Sequence, residues 1–128
     1  MDSKHWMRFI GLPYKLGADP ITTEGADCVH LVFRVQALHG LPPPPIRRDW
    51  YRLLRRGDIG ALRADYEALT RPIPEPRQLA MTLLPEDGFA LGVFVDGGLL
   101  FIHQWARVTW VPQSVLLPLQ YREFLHAV

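Results

Sequence analysis

One cysteine, Cys28, is all the chain has, so no intrachain disulfide can form and the redox compartment is left open. No stretch approaches the roughly 18 apolar residues that span a bilayer, so no membrane insertion is expected. The opening Met1-Asp2-Ser3-Lys4-His5-Trp6 lacks the apolar run of a signal peptide. The chain therefore reads as soluble and made in the cytoplasm without a secretion signal of its own. Charge of one sign is also lacking. The net charge is +1, which gives no reason to expect nucleic acid as a partner. The arginines at 47, 48, 52, 55 and 56 are a local run diluted by Asp49 and Asp58, and read as a solvated helix face. The five histidines have no paired spacing, so no metal site and no cofactor are expected. Gly57 to Gly60 lacks the following lysine of a phosphate loop.

What the chain does have is apolar residues, 48% of the total, enough for one core, and residues 1–128 read as one domain. Charged residues, at 21%, argue against wholesale disorder. Trp6 to Ile10 predicts a short first helix ended by Gly11-Leu12-Pro13, and Tyr14 to Gly25 a loop. Asp27 to Leu38 carries apolar residues at close to helical spacing, with Gly40 as its C-terminal cap. Pro42 to Pro45 is a stiff extended linker. Asp49 to Leu69 predicts two short helices broken at Gly57-Asp58, the second capped by Asp58. Pro72, Pro74 and Pro76 then argue against regular structure.

From Gln78 onward the pattern turns to short apolar or β-branched runs at 79–84, 89–95, 99–105, 107–111 and 115–117. Pro85 to Gly88, Asp96-Gly97-Gly98 and Pro112-Gln113 separate them. Asp96-Gly97-Gly98 is a hairpin signal. Tyr121 to Val128 reads as a helical tail. Helices first and an antiparallel meander after make an α+β pattern.

The segment Tyr14-Lys15-Leu16-Gly17 through Gly25-Ala26-Asp27-Cys28-Val29-His30-Leu31-Val32 places Cys28 where a loop becomes a helix. Free N–H groups and the helix dipole at such a place favour a thiolate. Two readings fit, a nucleophile or a small buried hydrophobe. A nucleophile needs a base, usually His. His30, two positions on, lies about 200° around the helix from Cys28. His103, at the end of a predicted strand and followed by Gln104, is the better placed histidine.

These residues resemble a family. Pro13-Tyr14, Gly17, Gly25, Asp27-Cys28 and Leu31-Val32 look like the first signature of the NlpC/P60 peptidases. Gly92-Val93-Phe94-Val95 followed by Phe101-Ile102-His103 looks like the second. The resemblance implies a papain-like α+β fold, with the cysteine helix packed on a C-terminal antiparallel sheet. It implies a family whose members cut peptide bonds in peptidoglycan stems. Matched position by position, Cys28 is the nucleophile, His103 the residue that orients the base, and Tyr14 and Asp27 substrate-side neighbours. The base position is Ala90, which cannot accept a proton. Val29-His30 replaces a small Ser-Gly pair, and Pro76-Arg77-Gln78 a Pro-Gly-Asp lead-in.

The resemblance therefore implies a structural component of a phage tail tip or tail assembly with an impaired site, located in the virion. Its partners would be other tail proteins, docked on Leu41 to Ile46 and Trp105 to Leu119. The alternative is an active cysteine endopeptidase on peptidoglycan peptides. There Cys28 would be nucleophile and His103 base, with Gln104 or a carbonyl orienting it and the Cys28 N–H in the oxyanion hole. A third reading is an unrelated α+β domain in which Cys28 is core.

Overall fold

A computed structural model describes residues 4–85, 88–103 and 106–125. A 3-10 helix at His5–Phe9 opens the chain. Among the described residues three α-helices follow, α1 (Cys28–Leu38), α2 (Arg48–Arg56) and α3 (Ile59–Leu69). Six strands come after them: β1 (Thr70–Pro72), β2 (Met81–Leu83), β3 (Leu91–Val95), β4 (Gly98–Phe101), β5 (Thr109–Pro112) and β6 (Tyr121–Phe124). They form one antiparallel sheet in the order β1-β6-β2-β3-β4-β5. The architecture is mixed α+β. Among the described residues no helix is long and apolar enough to cross a membrane.

Helix α1 is defined at both ends by local chemistry. Asp27 precedes it in extended conformation, and its Oδ1 accepts the His30 N–H at 2.8 Å. At the far end Gly40 takes a φ of +86°. The Leu41 N–H then reaches the Gln36 carbonyl at 2.9 Å and the Gly40 N–H reaches Ala37 at 3.2 Å. This paired closure satisfies carbonyls that the helix leaves open. Between its ends α1 is apolar nearly all round, because it is central: it packs on β3, β4 and the first 3-10 helix. The α2–α3 break falls at Gly57, with a left-handed φ of +73°, and the Asp58 carboxylate caps α3 through the Ala61 N–H.

Strand β3, Leu-Gly-Val-Phe-Val, is buried at every position. Its two faces are covered by different parts of the chain. Leu91, Val93 and Val95 face the large core with α1 residues such as Leu31 and Val32. Phe94 faces a second cluster with Ala90, Leu99 and Tyr121, against which Leu116 and Leu119 pack. An antiparallel strand with both faces covered has no polar alternation to show.

The β3–β4 turn is the predicted hairpin. Val95 pairs with Gly98, and Asp96 and Gly97 between them have φ of 50° and 83°. Positive φ at both central residues suits the twist of the strands. Its tip is anchored to the N-terminus: Trp6 Nε1 donates to Asp96 Oδ2 at 2.7 Å, and the Trp6 ring stacks on Trp110.

The structure departs from sequence expectation in three places. Pro72 lies inside β1, which is tolerated because β1 is the edge strand. Tyr121–Phe124, expected to be helical, is β6, inserted between β1 and β2. Residues 115–117, expected as a strand, instead follow from a 3-10 turn at Gln113–Val115. The parts of the expected turn at 86–87, strand end at 104–105 and tail at 126–128 lie outside the described residues.

The glycines of the hairpin give a test. A Cβ at Gly98 would overlap the Val111 carbonyl oxygen and the Trp110 ring, whereas at Gly97 it would meet nothing within 4 Å. Gly97→Ala should cost only its left-handed φ, about 1–2 kcal/mol. Gly98→Ala should cost at least about 3 kcal/mol, because backbone must move. Urea denaturation of both variants measures this, and equal losses would contradict the packing described.

Candidate active site

Cys28 is the first residue of α1, directly after its Asp27 cap. Its side chain is 6% exposed, and Sγ donates to the Phe89 carbonyl at 3.4 Å. The thiol lines a cavity of about 160 Å³ together with Tyr14, Leu16, Leu54, Ile59, Ala90 and Ile102. Residues just beyond the ends of β3 and β4 line it, with Leu54 and Ile59 from the end of α2 and the start of α3. The volume is well below the roughly 300 Å³ at which small-molecule pockets begin.

Burial decides the state of the thiol. It pushes the Cys28 pKa up to about 12, and the neighbouring Asp27 carboxylate pushes in the same direction. The N–H groups of Leu91, Cys28 and Val29 pull it down. The helix-start effect expected from sequence is therefore present but outweighed, because removing a thiolate from water costs more than a few N–H dipoles return. The Tyr14 phenol on the same cavity is also raised to about 12, by burial first and then by the charges of Cys28 and Asp27.

The residues expected at the site divide. Cys28, Tyr14 and Ala90 come together on the cavity. Ala90 and His103 lie two residues beyond Gly92 and Phe101, the last paired residues at that end of β3 and β4. His103 is not among the cavity-lining residues. Its ring packs edge-on against Phe101, with centroids 5.1 Å apart, and its carbonyl accepts the Ala106 N–H at 3.0 Å. Gln104 and Trp105 lie outside the described residues. Among the described residues the lining of the thiol cavity includes no histidine.

Asp27 is only 2% exposed, and it serves the structure rather than an open surface. One oxygen accepts the Gly17 N–H at 2.7 Å and the Tyr51 hydroxyl at 2.7 Å. The other accepts the His30 N–H and lies 3.1 Å from His30 Nδ1. Tyr51 O lies 2.7 Å from the same Nδ1. Burial, and then the Asp27 charge, push the Tyr51 phenol pKa far up, so it keeps its proton. His30 and Tyr51 are the site residues that sequence reasoning missed. The i, i+3 spacing of Asp27 and His30 was a legible signal, but nothing marked Tyr51, which arrives from α2.

Comparison with protein-family models, with curated proteins and with solved structures returns no match for the chain.

At pH 7 a thiol with a pKa near 12 is thiolate in a fraction on the order of 10⁻⁵. Iodoacetamide should therefore label Cys28 at pH 7–8 at least about 100-fold more slowly in the folded protein than in the urea-unfolded chain, whose thiol titrates near 8.5. Mass spectrometry follows the adduct. Fast labelling of the folded protein below pH 8 would show an activated cysteine.

Proposed function

We propose that the chain is a papain-like NlpC/P60-type domain with an impaired peptidase site. It acts as a structural component of a phage tail tip or tail assembly, carried in the virion with other tail proteins as partners. The observation that carries this reading is Ala90 on the Cys28 cavity. The family resemblance calls for a general base at that position, and a methyl group accepts no proton. The buried, neutral thiol supports the same reading. So does the side of the sheet toward residues 113–121, where Val115 and Leu117 are exposed beside Pro118. Exposed apolar residues grouped in this way suit docking to another protein.

Hydrolysis of purified peptidoglycan stem peptides tests the enzymatic half of the reading. Neither the wild type nor Cys28→Ala should cleave them at high protein concentration between pH 5 and 9, as read by mass spectrometry. Cleavage by the wild type that disappears in Cys28→Ala would establish the alternative, a cysteine endopeptidase with Cys28 as nucleophile and His103 as its base. The structural half is tested by sedimentation. Tagged chain should travel with tail particles, and Leu117→Asp combined with Val115→Asp should reduce that association by at least tenfold. A chain that stays in the free protein fraction overturns the tail assignment.

A further inference from the structure

On the flank of α1 away from the thiol lies an open cleft of about 380 Å³, lined by Gly17, His30, Ile46, Arg48, Tyr51 and Arg55. Its volume falls within the range of small-molecule sites. Arg48, Tyr51 and Arg55 stand at i, i+3 and i+7 of α2, one face of that helix. Tyr51 is buried against Asp27 and His30, and the two exposed arginines stand either side of it, about 10 Å apart along the axis.

Several arginines around the cleft are paired, although Arg56, which does not line it, is not among the described residues' ion pairs. Arg47 pairs with Asp65 at 2.8 Å, Arg52 with Asp49 at 3.2 Å and Arg34 with Asp19 at 2.7 Å. Arg48 and Arg55 have no carboxylate within ion-pair distance among the described residues. Asp27, bonded to the cleft residues Gly17, His30 and Tyr51, already has its acceptor sites filled.

His30 is held in one tautomer. The single Tyr51 hydroxyl proton goes to Asp27, and the carboxylate only accepts. Nδ1 faces these two acceptors, so it carries the ring proton. In the neutral imidazole Nε2 is then an acceptor. A ligand that suits both guanidinium groups and this nitrogen must bring negative oxygens and one O–H. Inorganic phosphate does so throughout the neutral range, as H2PO4⁻ or HPO4²⁻, and a phosphate monoester does so as its monoanion, at and below its second pKa of about 6. Sulfate and carboxylates bring the charge without the donor.

We propose that this cleft is a phosphate-binding site, in which Arg48 and Arg55 hold the anionic oxygens and His30 Nε2 accepts the phosphate O–H. It uses no residue of the Cys28 cavity and is independent of the tail-protein reading. The test is titration of the ¹⁵N-labelled full chain with inorganic phosphate at constant ionic strength and pH 6.5, followed by NMR. Saturable shifts of the His30 ring and of the Arg48 and Arg55 side chains are expected. The double variant Arg48→Gln/Arg55→Gln should lose at least about tenfold in affinity, the cost of one or more charge-assisted hydrogen bonds. Arg52→Gln, on the same helix but paired with Asp49, should bind as the wild type. Phosphate should bind more tightly than sulfate or acetate. Tighter binding of O-phosphoserine than of inorganic phosphate would identify an esterified ligand, and the reverse order free phosphate. No saturable shift, an unaffected double variant, a silent His30 ring, or equal binding of sulfate would each overturn the proposal.

Discussion

A carboxylate taken out of water must be satisfied on every side, or it costs several kcal/mol. Asp27 meets that demand with donors from three separate parts of the chain: the Gly17 N–H from the loop, the His30 N–H and ring from α1, and the Tyr51 hydroxyl from α2. Much else follows from this one group. It fixes where α1 begins, and so places Cys28 in the first turn. It draws α2 across the start of α1, which sets Leu54 beside the thiol cavity and Tyr51 beneath the arginine cleft. Removal of any donor would leave a buried anion short of a partner.

The same arrangement separates two kinds of surface on either side of α1. Toward β3 the helix presents Cys28 to a small cavity, where desolvation keeps the thiol protonated. Toward α2 it presents His30 to an open cleft with unpaired positive charge. Cys28 and His30 are two residues apart, and helical geometry alone sends them in different directions. The chemistry of the two sides then differs because their neighbours differ in burial.

Part of the fold was legible because its signals are local. The Asp96-Gly97 turn, the Gly57-Asp58 break and the Gly40 closure each depend on a positive φ or a short side-chain cap, which a few residues determine by themselves. The edge strand and the final strand were not. Thr70-Arg71-Pro72 and Tyr121-Arg122-Glu123-Phe124 have no alternating pattern, and they are extended because they pair with each other and β6 also with β2. These pairings join positions 39 to 54 residues apart. Arg122 adds to this by donating to Thr70 Oγ1 at 2.7 Å.

For the site the division is similar. By itself the sequence determined that Cys28 would stand where a loop gives way to a helix-forming run, that Ala90 can take no proton, and that His30 would point away from Cys28. These follow from side-chain chemistry and a fixed helical period. Only the tertiary structure decided that Cys28 and Ala90 share a cavity, that His103 packs on Phe101 rather than lining that cavity, and that Tyr51 completes the shell of Asp27. It also decided the protonation of the thiol. Helix dipoles and N–H groups act within one turn and are visible in the chain, whereas desolvation depends on what every other segment places around the sulfur.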